Sequence, residues 1–170
     1  MTIMSSGCVA PIVYETQIMD SSTQYGTAKT AIPRPPPGMG RLFVYLTAGG
    51  PNASWIIGIG PSMNGYIVID DNTLFEFLGG SYFYVDLPTG PHSIHAGEIA
   101  SSLSKIRKGT SFAIVTVTET EESFVRIDLK GIGLGTKAFP IAVRKETAEQ
   151  EMNSLRREKS YKPHDVQLAR

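Results

Sequence analysis

From Arg41 onward, short apolar runs follow one another, each bounded by polar or turn-forming residues. The runs are RLFVYLT (Arg41–Thr47), SWIIGIG (Ser54–Gly60), GYIVID (Gly65–Asp70), TLFEFL (Thr73–Leu78), SYFYVDL (Ser81–Leu87), HSIHAGEI (His92–Ile99), SFAIVTVTE (Ser111–Glu119) and SFVRIDLK (Ser123–Lys130). All are rich in β-branched or aromatic residues, and Gly, Pro, Asn and Asp punctuate them at short intervals. That spacing predicts an antiparallel sandwich or barrel rather than βαβ units. A further run, KAFPIAVR (Lys137–Arg144), carries Pro140, which cannot donate to a ladder and so belongs at an edge.

In the stretch SYFYVDLPTGPHSI, alternation sends Tyr82, Tyr84 and Asp86 to one face and Phe83, Val85 and Leu87 to the other, which reads as the core face. LPTG (Leu87–Gly90) has the Pro and Gly of a type I turn and predicts a direct link between neighbouring strands. With the upstream VIDDNTLFEFLGG, split at Asp70–Thr73, the region reads as a β-meander.

Two segments break this rhythm. In STQYGTAKTAIPRPPPGMG (Ser22–Gly40), Pro33, Pro35, Pro36 and Pro37 fix φ and favour polyproline II, so the segment reads as a semi-rigid linker. After the strands, RKETAEQEMNSLRREK (Arg144–Lys159) is rich in helix formers, with Ala148, Met152 and Leu155 at helical spacing. Thr147 and Gln150 form a capping-box pattern, and Arg156, Arg157 and Lys159 fall where a helix dipole favours cations. One amphipathic helix is expected, packed on the strands or turned outward to a partner. The expected organisation is an N-terminal arm and linker over 1–40, a β domain over 41–144, and a helix and tail over 145–170.

Composition narrows the function. The chain has 170 residues, and its hydrophobic fraction of 41% suffices for one core. Sixteen basic residues balance sixteen acidic ones, which provides no general attraction to nucleic acid. Cys8 is the one cysteine, so no internal disulfide and no thiolate zinc site can form. No apolar run reaches the roughly 18 residues of a membrane span, and the chain reads as soluble, with membrane contact only through a lipid anchor.

The segments PPPGMGRLFVYL and LGGSYFYVDLPTGPHSIHA resemble a bacterial domain-of-unknown-function family of small envelope lipoproteins, over roughly residues 35–130. GSYFYVDLPTG is the most specific part, and the meander is similar to the PEGA-type sandwich of surface proteins. The resemblance implies a β-sandwich and an envelope setting; it brings no catalytic residues. Lipoproteins of this kind begin at a lipidated cysteine, and Ser6 and Gly7 before Cys8 are the small residues a lipobox needs. Ser5 stands where Leu is usual, and no charged and apolar signal segment precedes it. Either Cys8 is a lipidation site in a chain whose start lies upstream, or it is an ordinary cysteine.

Candidate chemistry is sparse. His92 and His95, three apart on a strand, point to opposite faces and cannot share a metal ion without a bulge. GIGLGT (Gly131–Thr136) has Thr136 where a dinucleotide fingerprint needs its third Gly, and it leads into a strand. Asp70 and Asp71 lack calcium-loop spacing, and TETEES (Thr118–Ser123) reads as a charged turn. No GxSxG elbow is present, and no base can be named for Cys8. The remaining candidate is a surface patch of Tyr82, Tyr84 and Asp86, open to a protein or glycan unless the helix or the N-terminal arm covers it.

These readings converge on an all-β protein, an antiparallel immunoglobulin-like or PEGA-like β-sandwich with one C-terminal amphipathic helix, without cofactor, metal or catalytic residues. The expected role is a non-enzymatic accessory or interaction protein of the bacterial cell envelope, facing the periplasm, whose partner is another envelope protein or a glycan. The alternative is a soluble cytoplasmic module that binds through its C-terminal helix.

Overall fold

Every predicted run that falls among the described residues forms a strand. The computed structural model describes residues 25, 32–46, 64–70, 73–78, 81–96, 111–132, 135–153, 155–157 and 163–165. The predicted strand at Ser54–Gly60 and the candidate lipidation site Cys8 lie outside them. In chain order the elements are β1 (Met39–Leu46), β2 (Asn64–Ile69), β3 (Thr73–Leu78), β4 (Ser81–Pro88), β5 (Gly90–Ala96), β6 (Phe112–Val117), β7 (Ser123–Ile132) and β8 (Gly135–Val143). Helix α1 (Lys145–Met152) and the short strands β9 (Arg156–Arg157) and β10 (Pro163–Asp165) complete the chain.

The strands form two five-stranded sheets, ordered β8-β7-β1-β4-β9 and β10-β3-β2-β5-β6. Their inner faces share one core, with Leu42, Val44, Phe83, Val85, Leu87, Val125 and Ile127 from the first sheet against Ile67, Ile69, Ile94, Val115 and Val117 from the second. Among the described residues the protein is therefore mostly β, two sheets with the helix α1, as the β-branched and aromatic runs predict.

Pairing corrects two expectations. The meander is interrupted: β2 and β3 form the predicted antiparallel hairpin, but β4 leaves for the other sheet and β5 returns to pair with β2. LPTG is thus a corner between sheets, with Gly90 at φ 138°. Periodicity could not show this, because a strand with one buried face alternates identically in either sheet. The first sheet is also mixed, since β1 runs parallel to β7 and β4 parallel to β9. The chain reaches β7 from β6 in the opposite sheet, so no hairpin sets its direction. Pro140 lies in β8 at a sheet end, where a missing N–H costs least.

The first sheet also carries a layer on its outer face. β1 is buried on both faces, with Phe43 and Tyr45 turned outward beneath Ala148 and Met152 of α1 and Leu155 just after it. The predicted helix was longer, and its outcome differs at both ends. It starts at Lys145, with Arg144 as an N-cap that makes no side-chain hydrogen bond, so Thr147 lies inside the first turn. Instead of extending the helix, Arg156 and Arg157 pair with Ser81 and Tyr82 as β9. Gly40 marks a close approach between the sheets: a Cβ there would run into the Thr118 carbonyl.

Candidate functional site

The register of β1 with β4 builds the outer face. Arg41 stands opposite Asp86, Phe43 opposite Tyr84, and Tyr45 opposite Tyr82. Each of these positions has the outward parity read for Tyr82, Tyr84 and Asp86. The structure buries one member of that candidate patch and leaves Tyr84 and Asp86 half-buried: Tyr82 is 0% exposed, packed edge-on against Tyr25 with ring centroids 5.3 Å apart. Tyr25 also meets Phe43 edge-on, and its N–H donates to the Leu155 carbonyl at 3.1 Å. Helix and N-terminal arm together cover the tyrosine, which is the covered outcome the sequence left open. The helix spends its apolar stripe here too, so Ala148, Met152 and Leu155 are not offered to a partner.

Arg41 holds the rest of the patch. It is 3% exposed, and its Nε and Nη2 donate to the two Asp86 carboxylate oxygens, each at 2.7 Å. Its Nη1 donates to the Pro33 carbonyl, and its guanidinium lies 4.2 Å from the Tyr84 ring centre. A planar fork can grip both oxygens of a carboxylate while lying over a ring, a bidentate match that an ammonium lacks. The Pro-rich segment read as a spacer is thereby fastened at Pro33, with Ile32 packed on the outer cluster. Neither residue type nor spacing signals this; the Arg41–Asp86 pairing follows only from the β1–β4 register.

A second polar cluster locks α1 to the sheet. The Tyr45 hydroxyl and the Arg126 guanidinium each donate to one oxygen of Glu151, and Arg126 also donates to Asp128. The Asp128 hydrogen bond is the main reason that Arg126 holds its proton more tightly than usual. At the helix start, Lys145 binds Glu122 at 2.9 Å, which raises the lysine pKa.

Burial, first, pushes the phenols of Tyr25 and Tyr45 far above their ordinary value of 10, and the Glu151 hydrogen bond adds to the shift at Tyr45. A phenol whose folded pKa is raised stays neutral when the unfolded chain would ionise. Its stabilisation is complete below the unfolded pKa and is lost as the pH climbs above it toward the folded value. Stability should therefore fall progressively above about pH 10, the ordinary phenol value. Tyrosinate absorbance should appear together with loss of near-ultraviolet circular dichroism; ionisation of all tyrosines with that signal intact would contradict the burial.

The histidines sit apart, as their spacing predicts. His92 Nδ1 lies 2.6 Å from Asp70 Oδ2, and its Nε2 lies 2.7 Å from the Pro88 carbonyl, bracing the corner between sheets. His95, on the other face, lies against Phe112. Asp70 has φ 51° and is bound to Ser93 at both backbone and side chain, so its carboxylate ties the end of β2 to β5. The TETEES turn is similarly occupied, with Glu119 accepting from the Gly38 N–H and Glu122 from Lys145. Among the described residues, no group of three or more His, Cys, Asp or Glu could hold a metal ion, and no helix is long and apolar enough to cross a membrane.

The candidate site is at the far edge of the second sheet. β6 is an end strand, and Phe112 and Ile114 on its outer face are 58% and 64% exposed. Its β-branched and aromatic content placed this strand, but nothing in SFAIVTVTE distinguishes an end strand from a central one. Compared with known proteins, the chain matches no family model, no curated protein and no solved structure.

Proposed function

We propose that this chain is a non-enzymatic accessory or interaction module of the bacterial cell envelope, an immunoglobulin-like or PEGA-like sandwich that binds by adding a strand at β6. The observation that carries the binding reading is the exposure of Phe112 and Ile114 on an end strand. Large apolar side chains there, beside backbone groups that no described strand pairs, provide the contacts that strand addition uses. What supports the envelope setting is the SSGC segment at Cys8 and the resemblance carried by GSYFYVDLPTG.

The binding reading is tested in the native host with a photo-crosslinking residue in place of Phe112. A discrete protein adduct is expected, and no adduct beyond that from a control at Glu146 on the exposed helix surface would sink it. The envelope setting is tested separately, by fractionation and by labelling with radioactive fatty acid. Label on Cys8 in the membrane fraction is expected, whereas an unlabelled chain in the cytoplasm would remove that part.

A further inference from the structure

Among the described residues four strand edges end the two sheets, and three of them carry residue types that discourage pairing. β8 has Lys137 and Pro140, β9 is Arg156–Arg157, and β10 begins at Pro163 and ends at Asp165. Charges and prolines on an edge block the approach of another strand. The fourth, β6, reads FAIVTV and has neither a charge nor a proline.

The ladder shows which of its backbone groups face outward. Thr116 stands opposite Pro91, which has no N–H to give, and its carbonyl accepts instead from Ser123 Oγ at 3.1 Å. Ser93, opposite Ile114, directs its own N–H and C=O away from β6, to Asp70. In an antiparallel ladder these orientations alternate, so Phe112 and Ile114 turn their N–H and C=O groups toward the open edge.

We infer that β6 pairs antiparallel with β6 of a second copy of this chain, joining the two second sheets across a two-fold axis. The inference rests on the binding reading above and names its partner. With the Thr116 carbonyl already held, the register that uses Phe112 and Ile114 has Ala113 on the axis. Phe112 of each copy then faces Ile114 of the other, an aromatic and β-branched pair on the outer face. No charges meet, because the strand has none. The occupant must bring an uncharged strand with its own free edge, and β6 is the edge of this kind among the described residues. Pairing β6 with β8, β9 or β10 of another copy would be head-to-tail and open-ended, and the guarded edges oppose it.

Sedimentation of the purified full-length chain tests this. A concentration-dependent dimer is expected, and I114K, which leaves an exposed position folded, should weaken it by about tenfold or more. F112E should do the same, while unchanged melting temperatures would show that both variants fold. A dimer unaffected by either variant would overturn the inference, as would a monomer at every concentration reached. Crosslinking from position 112 separates the two readings: an adduct of twice the chain mass supports the second copy, and an adduct with a different protein leaves strand addition standing while overturning self-pairing. No adduct at all removes both.

Discussion

Removing residues 144–170 should abolish cooperative folding. The deletion takes away α1 and β9 and uncovers Phe43, Tyr45, Tyr82 and Phe124, which cluster with Ala148, Met152 and Leu155. Burial of a Met or Leu side chain contributes about 1.5–3 kcal/mol each, before the newly exposed rings are counted. The loss therefore reaches the roughly 5–15 kcal/mol by which whole domains are stable. Thermal melting of the shortened chain followed by near-ultraviolet circular dichroism should show no sharp transition. A cooperative melt with native aromatic signal would instead make the helix dispensable and return it to the list of partner-binding elements.

The second large effect is expected at Arg41. R41M removes one member of a nearly buried, bidentate pair and leaves Asp86 without its counter-charge, a change that costs about 3 kcal/mol in comparable settings. The double variant R41M/D86L should recover most of this, because two apolar side chains of similar size have no desolvation penalty to offset. Urea unfolding of both single variants and the double would measure the coupling. Equal losses for the double variant and the sum of the singles would show that the ion pair itself contributes nothing. Hydrogen exchange at the Gly38 amide, which donates to Glu119, should rise in R41M, since the guanidinium also holds the Pro33 carbonyl. Protection unchanged from the native chain would show that the guanidinium is not what holds the Pro-rich segment.

The candidate edge was only half legible. That Phe112 and Ile114 share a face follows from their spacing, but that β6 ends its sheet follows from contacts between distant segments. The tyrosine patch shows the converse problem. Outward parity for Tyr82 was readable in SYFYVDL, yet its exposure depended on whether Tyr25 and Met152, far away along the chain, come to rest on it. They do, and the reason is energetic: an apolar helix stripe and an aromatic sheet face each lose water by meeting.

By itself, then, the sequence missed β9 and β10 but determined β1 to β8, the two faces of β4, the edge position implied by Pro140, and the existence of a helix after β8. These are local matters, decided by φ restriction and by side chains that alternate along an extended backbone. Only the tertiary structure decided which strand pairs with which, that LPTG turns a corner between sheets, that Arg41 meets Asp86, and that β6 ends its sheet among the described residues. Those outcomes depend on contacts between residues far apart in the chain, and a period-two pattern is the same in every sheet that could make them.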